Sequence, residues 1–142
     1  MQYQERNSGP SPVVEEILKI VKKNSAMSAF KGEDLVNCAE KFAKYLAKDV
    51  RLKTSQIRKF LDAVKKVQYQ GLSTGEYDFR TEAMMMKPKL AYAAGRSMEV
   101  KPFMEVITLC IDRVRTREDF EQFAKFIEAI VAYHKYFGGR EQ

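Results

Sequence analysis

The sequence predicts an all-α protein, a single compact bundle of five or six helices with one of them kinked or broken near Pro88. Three observations predict it. Apolar residues recur every three or four positions through most of the chain, the spacing that lines one face of a helix. Only seven Gly and four Pro punctuate 142 residues, while the helix formers Ala, Lys, Glu, Leu and Met recur throughout. At 45% hydrophobic and 31% charged, the chain can bury one core and stay dissolved, and its length suits one domain rather than two. There is no repeat of fixed period and no low-complexity tract.

Residues 1–11 read as a flexible N-terminal tail, because a polar stretch ending in Ser8-Gly9-Pro10-Ser11 buries too little surface to be held in place; the helical domain spans 12–140. Ser11 is a good cap for a first helix with Pro12 in its first position, where a missing N–H costs nothing, and Val13, Ile17, Ile20 and Val21 form its apolar stripe to about Asn24. Beyond Gly32, the positions Leu35, Cys38, Ala39, Phe42, Tyr45 and Leu46 make a second amphipathic helix over 33–50. Thr54 or Ser55 is suited to cap a third, with Ile57, Phe60, Leu61, Val64 and Val67 on one side, ending near Gly71. Glu76 to Met86 reads as helix until Pro88 removes a backbone donor, which places a break near Lys87; Leu90 to Ala94 resumes the helix up to Gly95. Past Pro102, a fifth helix carries Phe103, Val106, Ile107, Cys110, Ile111 and Val114. Thr116-Arg117-Glu118-Asp119 is a capping box with Asp in place of Glu, opening a sixth that Gly138-Gly139 stops. Its aromatic residues Phe120, Phe123, Phe126, Tyr133, Tyr136 and Phe137 exceed what one buried stripe needs, which hints at a partner surface.

Catalytic readings fail for want of parts. His134 is the only histidine and reads as a surface or capping group near a helix end. Cys38 and Cys110 lack paired metal-ligand spacing and read as buried free thiols in a reducing compartment. Glu15-Glu16 and Glu118-Asp119 sit where carboxylates complement a helix dipole. No phosphate loop, metal motif or cofactor motif occurs, so neither a catalytic residue, a metal nor a cofactor is expected. No stretch approaches the roughly 18 apolar residues of a membrane span, so no membrane role is expected and the cytoplasm is the expected location.

Charge is the sharper signal. The net charge is +6, and residues 51–70 carry Arg51, Lys53, Arg58, Lys59, Lys65 and Lys66 against Asp62 alone. On a helix over 55–70, Arg58, Lys59, Lys65 and Lys66 fall opposite the apolar stripe, while Arg51 and Lys53 approach an N-terminus whose N–H groups, with the Thr54 and Ser55 hydroxyls, suit phosphate oxygens. Such a ridge either grips a polyanion or is a solvated face that keeps the protein dissolved. A second cluster joins Lys87, Lys89 and Arg96. Beside it, Tyr92 lies in an Ala-rich run that favours core packing over a ring stacked on a base or ribose. Met84-Met85-Met86 reads as adaptable core or a subunit contact.

Three stretches in this order, Thr54-Ser55-Gln56-Ile57-Arg58-Lys59-Phe60, Lys87-Pro88-Lys89-Leu90-Ala91-Tyr92-Ala93-Ala94-Gly95-Arg96 and Glu128-Ala129-Ile130-Val131-Ala132-Tyr133-His134-Lys135-Tyr136-Phe137-Gly138-Gly139, resemble the small helical subunit of the type III-A CRISPR-Cas (Csm) interference complex over roughly residues 33 to 140. The resemblance implies a non-catalytic subunit present in several copies, stacked as an inner filament beside the crRNA-bearing backbone subunits and lining the channel of crRNA and target RNA. Cleavage is implied to belong to the backbone and large subunits. The partners it implies are crRNA, target RNA, the other Csm subunits and copies of the chain itself. The expected RNA contacts are Arg51, Lys53, Thr54, Ser55, Arg58, Lys59, Lys65, Lys66, Lys87, Lys89 and Arg96, touching phosphates and 2′-hydroxyls of any sequence. Two alternatives stand beside it: a structural adaptor with no RNA role, and a helix-turn-helix DNA-binding protein reading bases from residues 55–70 with Gln56, Gln68 and Gln70.

Overall fold

The computed structural model describes residues 11–73 and 75–139, so nearly all of the stretch read as a tail lies outside the described residues. Among these residues every regular element is helical: α1 (Pro12–Lys22), α2 (Gly32–Lys44), which runs on as a wider π-helical segment (Tyr45–Val50), α3 (Thr54–Leu72), α4 (Phe79–Met84), α5 (Met86–Arg96), α6 (Lys101–Ile111) and α7 (Arg117–Tyr136). Single 3₁₀ turns occupy Met27–Ala29 and Met98–Val100. The all-α expectation holds, and α4 with α5 is the broken helix. The break falls at Met85 rather than Lys87. Pro88 is the third residue of α5, where no intrahelical N–H is needed, and a proline ring crowds the carbonyl four residues back, which belongs to Met84, the last residue of α4.

The helix ends follow local chemistry. Ser11 Oγ accepts the Val14 N–H at 3.2 Å with Pro12 next in line. Thr116 Oγ1 accepts the Asp119 N–H at 3.1 Å, and Asp119 Oδ2 returns the bond to the Thr116 N–H at 3.2 Å. At α3 the cap is Lys53, one residue earlier than expected, because Gln56 Oε1 takes the Lys53 N–H at 3.1 Å and draws Thr54 into the first turn.

α7 is the central helix, packed against α2, α3 and the Met27–Ala29 turn, while α6 lies against α1 and α5. The aromatic residues of α7 mostly serve this core rather than a partner surface: Phe120, Phe123 and Phe126 are fully buried, and Tyr136 is the one strongly exposed. Phe103 of α6 joins the halves, its ring stacked 6.5 Å from Phe42 of α2 and edge-on 5.6 Å from Phe60 of α3. Asp119 does more than complement a dipole. It is buried, and Oδ1 accepts the Ser28 N–H while Oδ2 accepts the Arg115 N–H, each at 2.9 Å. Burial alone would raise its carboxyl, but the backbone N–H groups outweigh burial and hold it below the usual carboxylate range. Cys38 and Cys110 are buried free thiols; burial, with the nearby Asp34 and Glu16 carboxylates, pushes Cys38 up to about 11.

His134 is not a surface group. It is fully buried, its Nε2–H donating to the Leu52 carbonyl at 2.8 Å and its Nδ1 lying 3.3 Å from the Thr54 hydroxyl. Gly139 lies so close to the ring that any β-carbon there would collide with it. Burial drives the imidazole below its ordinary pKa, opposed only in part by the bond to Leu52.

The unfolded imidazole gains a proton near pH 6.5 while the folded one resists it, so His134 contributes stability above about pH 6.5 that is lost as pH falls through the lower folded value. Urea denaturation at pH 7.5 and 5.5 will show this loss. His134→Gln will remove most of that pH dependence and lower stability at pH 7.5 by about 1–3 kcal/mol. Phe103→Ala, which empties the junction of α2, α3 and α6, will cost about 3–5 kcal/mol in the same assay.

Candidate nucleic-acid interface

The cations of residues 51–70 do not form one continuous strip. α3 buries Thr54, Ile57, Phe60, Val64 and Val67, and rotation of about 100° per residue spreads its outer residues over two sides. On the side of α7, Lys65 is ion-paired with Glu128, and Gln68 Nε2 donates to Glu121 Oε1 at 3.2 Å. On the other side Lys59 lines a cleft, with Lys66 two turns further along the same sector. Arg58 is exposed, two turns before Lys65 in nearly the same sector, and the exposed Asp62 lies between that sector and the one of Lys59 and Lys66.

At the start of α3 the expected contacts divide. Arg51 is exposed and ends the π-helical segment in the left-handed region at φ 63°, a conformation that costs a non-glycine residue about 1–2 kcal/mol. The Leu52 N–H bonded to the Leu46 carbonyl at 2.9 Å holds it there. Lys53 is half-buried and Ser55 exposed. Thr54 is buried, with its hydroxyl turned to His134, so it anchors the helix instead of meeting solvent.

The second cluster lies on α5. Lys87 is ion-paired with Asp112 and ties α5 to the end of α6. Lys89 and Arg96 line the same cleft as Lys59. Tyr92 also lines it and is 69% exposed, against the expectation of core packing. The reason is angular: α5 buries Met86 and Leu90, and Tyr92, two residues from Leu90, turns about 200° away. The Arg96 guanidinium lies 5.8 Å from the centre of the Tyr92 ring. Met84-Met85-Met86 splits likewise, with Met86 buried and Met85 exposed.

The cleft between α3 and α5 has a volume of about 400 Å³. Phe60, Leu90 and Phe103 form its apolar floor, and none of the residues lining it is acidic. Ala63 and Ala93 line it too, and their small side chains leave it open. Those two alanines are what the sequence reading missed, although small residues at outward-turned helix positions were the available signal. Among the described residues, Arg58, Lys59, Lys66, Lys89 and Arg96 have no carboxylate in ion-pair contact, unlike Lys65 and Lys87. Also among these residues, no three His, Cys, Asp or Glu side chains gather as a metal site, and no helix is long and apolar enough to cross a membrane.

Comparison with known proteins bears on the same segments. The family described as Csm2 Type III-A matches residues 29–140, which span α2 to α7 and the whole cleft. The CRISPR system Cms protein Csm2 of Streptococcus thermophilus is 28% identical over 121 residues, covering 81% of this chain and 100% of the relative. The protein of the same name from Enterococcus italicus is 33% identical over 95 residues, covering 61% of this chain and 68% of the relative. No solved structure gives a significant match. The three motifs and the family match over all but the first helix agree, and the chain belongs to the Csm2 Type III-A family of small Csm subunits.

Proposed function

We propose that this chain is a non-catalytic subunit of a type III-A RNA-guided interference complex in the cytoplasm, repeated along an inner filament beside the other Csm subunits. There it holds the crRNA–target RNA duplex by its backbone. The observation that carries the reading is the convergence of Lys59 from α3 with Lys89 and Arg96 from α5 on one cleft, with Lys66 two turns along α3 from Lys59, Arg58 on the adjoining outer face, and no carboxylate paired to any of the five. Separate stretches of sequence thus supply one cationic surface.

The chemistry suits a ligand whose sequence varies. Ammonium and guanidinium groups neutralise phosphates, and phosphate contacts position a nucleic acid without reading its bases. An A-form duplex offers phosphates and 2′-hydroxyls along an accessible shallow groove. A few such contacts per copy suffice, because a neighbouring copy meets the same strand at high effective concentration. Arg51, Lys53 and Ser55 extend the surface toward the start of α3. Lys65 and Lys87 contribute less, since their charges are already met by Glu128 and Asp112.

RNA-duplex affinity of the full chain, measured from low to moderate salt, will fall with a log–log slope of about −3 if roughly four phosphates are neutralised. Arg58→Glu with Lys59→Glu will weaken binding at least about tenfold and flatten the slope by about 1.5, whereas Lys65→Ala and Lys87→Ala will each change affinity less than about threefold. Co-purification with crRNA and the other Csm subunits, followed by RNA–protein crosslinking, tests the assignment in the assembly. Loading and crosslinking untouched by the Arg58/Lys59 reversal would identify a structural adaptor, and preference for a selected duplex DNA site would identify a helix-turn-helix protein.

A further inference from the structure

The cleft is more than a set of cations. Backbone contact with a fully paired duplex needs only the rim, Lys59, Lys89 and Arg96, and makes no use of the space between α3 and α5, whose floor is set by the buried core residues Phe60, Leu90 and Phe103. About 400 Å³ falls in the range of small-molecule sites, which pair an apolar lining with a few placed polar groups. Tyr92 presents an exposed ring at the same rim with a guanidinium over it. Gln56 engages Oε1 with the Lys53 N–H, which leaves the Nε2 donors at the opposite edge for another acceptor. A flat heteroaromatic ring joined to flanking negative charge satisfies all of these features at once.

We propose that the α3–α5 cleft receives the base of a single unpaired ribonucleotide, stacked at Tyr92 and seated over Phe60 and Leu90, with the adjoining phosphates on Lys59, Lys89 and Arg96. The proposal rests on the reading of this chain as an RNA-holding subunit and adds a binding mode to it. Paired nucleotides lie along the outer face of α3, and a base out of the stack enters the cleft. Aromatic stacking accepts any base, so the site adds affinity without adding sequence preference. An acidic peptide carrying an aromatic residue is the competing occupant. The planar Tyr92–Arg96 pair favours the nucleotide, since guanidinium planes and aromatic rings are the usual platforms for unstacked bases.

The test uses the full chain and two RNA duplexes of equal length, one fully paired and one carrying a single bulged 2-aminopurine. The bulged duplex is expected to bind about tenfold more tightly, with its fluorescence quenched on binding. Ala93→Phe, which fills the cleft, is expected to abolish that preference and the quenching, so that the two duplexes bind equally. Tyr92→Ala removes an exposed ring without threatening the fold and is expected to reduce the preference severalfold. Equal binding of the two duplexes by the wild-type chain would overturn the base site and leave backbone holding intact. Failure to bind either would overturn both. Equal binding of the duplexes together with capture of a fluorescent glutamate-rich peptide bearing one phenylalanine, lost in Ala93→Phe, would make the cleft a protein-docking groove and also overturn the proposal.

Discussion

The hydrogen bond from the His134 ring to the Leu52 carbonyl is the constraint on which the rest of the arrangement depends. It fastens the last turn of α7 to the short link between the π-helical segment and α3, where the chain reverses through the left-handed Arg51. The other ring nitrogen meets Thr54, the first residue of α3, so the clamp sets where that helix begins. A start displaced by one residue would rotate every outward side chain by about 100°. Lys59 would then leave the cleft. The buried, neutral imidazole is thus a structural part whose consequence is the direction of a charged surface.

Positive charge in this chain has two fates. Arg80 donates to the Ile111, Asp112 and Val114 carbonyls at 3.2, 3.2 and 2.9 Å, satisfying the end of α6. Arg113 reaches the Asn24 carbonyl at 2.8 Å, and Arg117 reaches the Gly71 carbonyl at 2.7 Å while lying over the Phe79 ring. Gly71 is itself packed so tightly on Phe79 that no β-carbon would fit. These arginines act as bolts, because a guanidinium can satisfy several orphan carbonyls at once. Exposed cations without an ion-paired carboxylate occur on several helices, Lys22 of α1, Lys44 of α2 and Lys125 of α7 among them; what sets α3 and α5 apart is that Lys59, Lys89 and Arg96 converge on one cleft.

The cleft owes its existence to three features acting together. Pro88 ends α4 at Met84 and lets α5 take its own direction. Lys87 paired with Asp112 holds α5 against the end of α6. Ala63 and Ala93 are too small to close the gap that remains over Phe103.

Helical class, the apolar stripes, two of the caps and the presence of a break before Pro88 were legible in the sequence by itself, because each depends on residues within one or two turns of one another. The same holds for the charge concentrated between Arg51 and Lys66. What only the tertiary structure decided is which of those cations remain uncompensated. Glu128 is 63 positions from Lys65 and Asp112 is 25 from Lys87, distances over which helical periodicity carries no information. For the same reason His134 reads as a surface group until α7 is laid against the start of α3, and Tyr92 as core until Leu90 is seen to define the buried side of α5. Spacing along one helix determines which side chains share a face; only packing between helices, which removes some faces from water and brings others together, determines which of them meet a ligand.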